Sequence, residues 1–428
     1  MSNLHAVSDA TDSDNRPAFT RRISTVNLME GMYVQELDRP WVETPFLFQG
    51  FKLEKQREIE ILQELCEFVY INIERGIDAP DVYLQHDPSR KVTMRELVQV
   101  SKLQHRKNEY KDTTHVEDEL GPAKESHRKS QRLVDDLFDD IRNKGKLNVP
   151  AVREAVDEIT DSVLRNPDAF MLLRQLKSKD TYSYSHAIDS CALAASFCRH
   201  LGFPKDELKD MAMGTLLLDI GKLKVPKEIL DKQDRLTEEE FRTMQRHVTY
   251  GVEMLIAAGS ISKTTIEMVA THHERLNGKG YPQKLKGETI PVSGRIAAIV
   301  DCYDAMTSER PYKKPVSAHD AIRELYKWRG TDFQEELVEQ FIQCLGIYPT
   351  GTLVELNSGQ VAIVLSQNRV RRLSPKLLLI LNADKVPYEK PHIIDLMKYE
   401  EETLAERLTI SHALDPEDFD FDPSDYYL

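Results

Sequence analysis

The run LLLDIGK, residues 216–222, carries three leucines straight into Asp219, with Gly221 and Lys222 immediately behind. An ionised carboxylate ending such a run costs several kcal/mol to bury unless something pairs with it. The same stretch of chain holds His186, His247, the adjacent pair His272 and His273, and Asp301. Any one histidine is more often a satisfied core or surface residue than a ligand. Taken together, imidazoles and carboxylates form a donor set suited to iron, manganese or zinc, and a carboxylate lying between two metals can bridge them. Divalent cations would then neutralise Asp219 at the end of its apolar run.

Helices must position these residues. Asn166 before Pro167 has the form of a cap and first helical position, Thr237 with Glu240 makes a capping box, and Ser317 with Asp320 can make another. Ile188, Cys191, Ala195, Cys198 and Leu201 recur at helical spacing until Gly202 stops the helix. The expected division is a disordered segment 1–20, an N-terminal α+β domain 21–77 with one helix near Lys55 to Glu67, and a polar, partly helical linker 78–120. A helical domain then spans 121–346 and a small β subdomain 347–400, built from TLVEL, QVAIVLS and KLLLILN. An acidic tail follows at 401–428, expected to be solvated from about Asp415. The fold class is mainly α, with small β-containing parts at each end.

A chain of 428 residues exceeds one small core, so two or three domains are expected. A net charge of -14 argues against nucleic acid polymer or an anionic membrane as the main partner, although a local basic pocket can hold a phosphate. The five scattered cysteines contain no CxxC and suit a reducing compartment. The N-terminus lacks the regions of a signal peptide, and no apolar run approaches the roughly 20 residues of a bilayer crossing, so a cytoplasmic location is expected.

DIGK, HHERLNGKGYP and GRIAAIVDCYDAMTSERPYKK together resemble the HD-GYP family, the branch of the HD metal-dependent phosphohydrolases that hydrolyses the bacterial second messenger cyclic-di-GMP. The resemblance covers about 122–345 and implies an HD-type helical bundle. GMYVQELDRPWVETPFLFQGF is similar to the uncharacterised domain that often precedes HD-GYP domains. The resemblance implies two divalent metal ions, iron or manganese first, with zinc, magnesium or nickel as further options. Asp219 would bridge them, His247, His272 and His273 would hold one, and His186 and Asp301 the other. It further implies a catalytic role for Lys222 in balancing phosphate charge or protonating the leaving oxygen. Tyr281, Arg310 and Lys313 would contact substrate, arginine being suited to phosphate by its planar fork. The products would be linear pGpG, GMP or both, and diguanylate cyclases (GGDEF proteins) or other signalling proteins are implied partners.

Three positions depart from the family pattern. Leu218 stands where the histidine of the HD doublet is expected, so one metal loses an imidazole and its affinity should fall rather than vanish. Tyr182 replaces a glutamate that supports a third metal in some members. Asn277 replaces the aspartate of the HHExxDGxGYP pattern. The alternative reading is an inactive module that binds cyclic-di-GMP or another protein; a third, weaker one is an HD-type hydrolase of a different nucleotide. Outside the six ligands, Cys191 and Cys198 are expected in the core and Cys302 without chemistry. His200 is expected to complement a helix dipole. His86, His105, His115 and His127 are expected on solvated faces, and Arg371, Arg372 and Lys376 as a surface basic patch.

Overall fold

The chain falls into two units, Met1–Thr93 and Met94–Leu428. The computed structural model describes residues 20–39, 41, 44–46, 50–72, 75–76, 108–175, 185–232, 234–308, 314–369, 371–399 and 408–415. Tyr182, Arg310, Lys313, His86, His105 and the last residues of the acidic tail lie outside them.

In the first unit, strands β1 (Thr20–Ser24), β2 (Tyr33–Leu37), β3 (Phe51–Lys52) and β4 (Phe68–Asn72) form an antiparallel sheet in the order β1-β4-β2-β3. Helix α1 (Gln56–Leu65) precedes β4. Alternation decides the face: Val69 and Ile71 are buried while Tyr70 between them is half-buried, and Ile23 is register-paired with Val69. Ile59 and Leu62, three apart on α1, bury the facing helical stripe, and Trp41 and Phe46 complete the core.

The second unit opens on a long helix, α2 (Val116–Lys144), so residues 116–120, at the end of the expected linker, are helical. Glu119 explains why local pattern does not show where this helix starts. Its carboxylate is 1 % exposed, yet it accepts bonds from Ser162 Oγ at 2.6 Å and from Arg165 Nε and Nη2, both at 2.8 Å. A charged residue at a core position is thus satisfied by partners more than forty residues away, which local periodicity cannot register.

There follow α3 (Val149–Arg165), α4 (Pro167–Gln175), α5 (Ser185–His200), α6 (Lys205–Leu216), α7 (Lys227–Leu230), α8 (Glu238–Gln245), α9 (His247–Ala258), α10 (Lys263–Thr271), α11 (Val292–Thr307), α12 (Ala318–Trp328) and α13 (Glu335–Leu345). The caps form as their residues dictate. Glu240 N–H donates to Thr237 Oγ1 while Thr237 N–H donates to Glu240, Asp320 N–H donates to Ser317 Oγ, and Asp168 N–H donates to Asn166 Oδ1. Helix α5 is buried almost all round; its Cys191, Ala192, Ala194, Ala195 and Cys198 let neighbouring helices approach closely. The mainly α class, with small sheets at both ends, is the observed architecture.

A second antiparallel sheet, β5 (Leu353–Leu356), β6 (Val361–Ser366), β7 (Lys376–Leu381), β8 (Pro387–Asp395) and β9 (Ile410–Ala413), runs in the order β8-β7-β6-β5-β9. One face packs Ile363, Leu365, Leu378 and Ile380 against Leu172 of α4, and the other gathers Val354, Val364, Leu377 and Leu379. Burial on both faces is why VAIVL reads as a continuous apolar run. Strand β9 falls inside 401–428, the span expected as an acidic tail, ahead of the solvated stretch expected from about Asp415. Ile410 and Leu414 pack onto the sheet and Leu414 N–H donates to Leu353 O, so the acidic composition of the chain beyond Leu414 masked a short apolar strand.

Three side chains differ from expectation for one reason, burial. His200 is not a dipole-stabilising cation: its Nε2 lies 3.0 Å from Gln340 Oε1, and burial pushes its pKa down to about 4, helped by nearby Arg372, Arg369 and Arg199. His127 is half-buried beside the ring of Phe170 rather than solvated. Arg372 is buried and donates to Gln343, so the expected surface patch with Arg371 and Lys376 does not exist as such. For His200 the sign of the linkage is definite. The folded pKa is lowered below 6.5, so the unfolded chain takes the proton first and stability falls as pH drops from about 6.5 towards 4. Replacing His200 with glutamine should remove about 2 kcal/mol of that acid-induced loss, read as a shallower slope of urea-unfolding free energy against pH.

Candidate metal centre

Asp219 sits at the turn that ends α6, as the cap of a short 3-10 helix, Ile220–Lys224. That helix lies directly against α9: a Cβ on Gly221 would collide with the His247 carbonyl oxygen and the Gly251 nitrogen. Only glycine allows the approach that brings Asp219 to His247. His247 opens α9, His272 and His273 follow the end of α10, Asp301 lies in α11, and His186 in the first turn of α5. Five separate parts of the second unit therefore supply the six expected ligands, and the structure brings all six together.

The donor atoms of Asp219, His247, His272 and His273 lie within 4.8 Å of one another. Asp219 Oδ1 is 3.5 Å from His247 Nε2, and its Oδ2 is 3.8 Å from His186 Nε2. Asp301 closes the ring, 4.0 Å from His186 Nε2 and 3.8 Å from His273 Nδ1.

Hydrogen bonds at the outer nitrogens fix which atoms face inward. His247 Nδ1 donates to Met244 O at 2.7 Å and His272 Nδ1 to Val269 O at 2.9 Å, leaving both Nε2 lone pairs turned into the cluster. Burial holds His247 below its usual range, takes His272 down to about 4, and, with His272 and His247 as neighbours, takes His273 well below its usual value. These three imidazoles are neutral at pH 7, the form that binds a metal. Burial alone would push the Asp219 carboxyl up, but Lys222, His247, His186 and His272 hold it well below the usual carboxylate range. Three neutral imidazoles converging with a half-buried carboxylate fit a divalent cation. Lys222 answers the charge of Asp219, with Nζ 2.6 Å from Oδ2.

Two buried acids that the sequence reading did not select shape the site. Asp304, one helical turn beyond Asp301, accepts a close bond from His186 Nδ1 and bonds from Arg174 Nη2 at 2.7 Å and Nε at 3.2 Å. Carboxylate, imidazole and inward-facing Nε2 reproduce the arrangement by which an outer carboxylate orients a metal-binding histidine. Glu274, 1 % exposed, accepts from the backbone N–H of Gln283 at 2.7 Å and of Leu285 at 2.9 Å, pinning the loop after GKGYP. The spacing of Asp301 and Asp304, and the third residue of HHE, were the available signals. Tyr281, on that loop, lies with its ring 4.6 Å from His273. Gly280 is required there because a Cβ would meet backbone atoms of His273, Glu274 and Arg275 at 2.5 Å. Asn277 is more than a turn former: its Nδ2 donates to Asp332 Oδ1 at 2.5 Å, a contact that an aspartate would turn into like-charge repulsion. Leu218 is 3 % exposed. Arg310 and Lys313 lie outside the described residues.

Comparison with known proteins places the chain in a family. Residues 171–337 match the model of the HD domain, and residues 20–152 that of a domain of unknown function, DUF3391. The chain is 34% identical over 380 residues to a cyclic di-GMP phosphodiesterase of Pseudomonas aeruginosa, covering 88% of this chain and 89% of that one. It is 34% identical to a cyclic di-GMP phosphodiesterase of Thermotoga maritima over 47% of this chain and 55% of that one. It is also 34% identical to a 3'3'-cGAMP-specific phosphodiesterase of Vibrio cholerae, over 40% of this chain and 35% of that one. Among solved structures, a HDG"Y"P protein from Bdellovibrio bacteriovorus aligns over 75% of this chain and 98% of that one, at 16% identity and a TM-score of 0.44. No helix among the described residues is long and apolar enough to cross a membrane. With its HD domain, its GYP loop and a relative matched along most of both chains, this protein belongs to the HD-GYP family of metal-dependent HD-domain hydrolases.

Proposed function

We propose that this chain hydrolyses cyclic-di-GMP to linear pGpG, GMP or both, at a centre of two divalent ions. The observation that carries the reading is the position of Asp219, whose two oxygens face His247 at 3.5 Å and His186 at 3.8 Å, on opposite parts of the six-residue cluster. His247, His272 and His273 would hold one ion, His186 and Asp301 the other, and Asp219 would be shared. Iron or manganese suits this mix of nitrogen and oxygen donors, with zinc, magnesium or nickel as substitutes. When bound, such a pair supplies hydroxide at neutral pH and offsets charge on the phosphate oxygens.

The chain's own residues do the rest. Lys222, with a side chain 39% exposed, presents its ammonium beside Asp219, where a phosphate would lie. It balances charge there and delivers the proton that the leaving ribose oxygen needs. Hydrolysis forms one P–O bond to water and breaks one to ribose, so that proton closes the balance. Burial pushes the Tyr281 hydroxyl well above its usual pKa, so it remains a neutral donor at the mouth of the site. Arg310 and Lys313 join it as substrate contacts on the family pattern alone. The substrate reading is supported by relatives named for cyclic di-GMP.

Leu218 favours a second reading, a module that binds the dinucleotide without cutting it and signals through partners such as GGDEF proteins or other signalling proteins. A leucine in place of one imidazole leaves that coordination position to water. Purification under anaerobic conditions with iron or manganese, followed by turnover of the natural protein and Leu218→His, separates the two. The natural protein should release pGpG, and Leu218→His should bind its metal roughly tenfold more tightly. Tight dinucleotide binding with turnover only in Leu218→His supports the second reading instead.

A further inference from the structure

An aromatic side chain beside Tyr281 stands outside the hydrophobic core. Phe241 is 47% exposed, and α8, which carries it, buries no residue. Its helix is nonetheless tightly positioned. The Thr237–Glu240 capping box fixes its start, Lys232 Nζ holds Glu240 at 2.5 and 2.7 Å, and the carbonyl of Met244, near its end, orients the His247 ring. Phe241 therefore occupies a fixed place relative to a metal-binding imidazole. Its ring makes an edge contact with Tyr281, with centroids 6.1 Å apart at 79°, and Tyr281 in turn lies 4.6 Å from His273 at 34°. A continuous aromatic surface thus leads from solvent to the ligand cluster.

We propose that Phe241 is a specificity-determining residue whose exposed face stacks on a purine base of the cyclic dinucleotide. The proposal rests on the cyclic-di-GMP reading given above. A substrate whose phosphate is held at the metal cluster places a base one nucleoside length away, where a flat apolar face at the rim meets it. Stacking tolerates any base, because every base offers a π-face. Phe241 therefore selects phosphodiesters that carry bases over those that do not, and leaves discrimination between guanine and adenine to hydrogen-bonding groups. Its effect falls on ground-state and transition-state binding alike, hence on KM rather than kcat.

The test uses the full-length, metal-loaded protein with cyclic-di-GMP and with bis(p-nitrophenyl) phosphate, a diester without nucleobases. Phe241→Ala should lower the ratio of kcat/KM for the dinucleotide to that for the base-free diester by about tenfold or more, through KM, and Phe241→Trp should restore it. Equilibrium binding of cyclic-di-GMP to the chelated protein should weaken by a similar factor. An unchanged ratio and unchanged Kd in Phe241→Ala overturn the stacking, even where hydrolysis stands. Binding that depends on Phe241 without any turnover overturns the hydrolase reading and supports the stacking. A natural protein that neither binds nor cleaves the dinucleotide overturns both.

Discussion

Asp219→Asn reduces cyclic-di-GMP turnover by roughly a thousandfold or more and strips most of the bound metal. Asparagine keeps the shape of the side chain but removes its charge, and the charge is what the position is built around. Its two oxygens stand between His247 on one side and His186 on the other. Burial opposes an ionised group here, so the carboxylate persists only because Lys222 and the surrounding histidines hold its pKa down. Without it, the remaining neutral imidazoles cannot share one anionic ligand between two cations, and Lys222 keeps an acceptor but loses the negative charge it answers. Because the amide can still accept from Lys222, the fold should survive. The check is elemental analysis of dialysed protein beside single-turnover kinetics, with circular dichroism to establish that the helices remain. Metal content and turnover close to those of the natural protein would remove Asp219 from the centre of the account.

Asp304→Asn should act on both stability and metal binding, although Asp304 touches no metal. The carboxylate is wholly buried and serves His186, Arg174, Ser190 and Ser308 at once. Burial would raise its pKa, but His186 and Arg174 hold it far below the carboxylate range. Neutralising it leaves the Arg174 guanidinium, whose side chain is 6% exposed, with Asp189 at 4.0 Å as its remaining acid among the ion pairs it makes. Removing one partner of such a buried pair costs about 3–5 kcal/mol. It also frees the His186 ring from the acceptor that directs its Nε2 inward, a loss worth about 10–100-fold in metal affinity. His186→Ala provides the control. It should match the loss of metal affinity while sparing most of the stability, because Arg174 and Asp304 then remain paired. Denaturant midpoints and metal titrations on the two variants separate the orienting role from the structural one; equal stability losses in both would contradict the assignment.

That these six side chains gather in one place was legible because imidazoles and carboxylates are chemically conspicuous. DIGK, HHE and the aspartate before CYDA stand out as residue types in apolar surroundings, and the glycines between them report close backbone approach at Gly221 and Gly280. Helix ends were legible for a related reason: a cap such as Thr237 with Glu240 satisfies its bonds within four residues. What escaped depends on contacts between distant segments. Asp304 is identified as an orienting group by Arg174, 130 residues earlier in the chain. Glu119 reads as solvated until Ser162 and Arg165 are placed beside it, and His200 reads as a surface cation until Gln340 is. Strand β9 was hidden because its few apolar residues acquire meaning only when Ile410 reaches Leu356 across the sheet.

The most direct measurement is anomalous X-ray scattering from crystals of the full chain grown anaerobically with manganese or iron. The account predicts two peaks about 3.5–4 Å apart, one among His247, His272 and His273, the other between His186 and Asp301, with Asp219 reaching both. No peak in this cluster, or ions bound elsewhere while these six side chains remain unliganded, would contradict it.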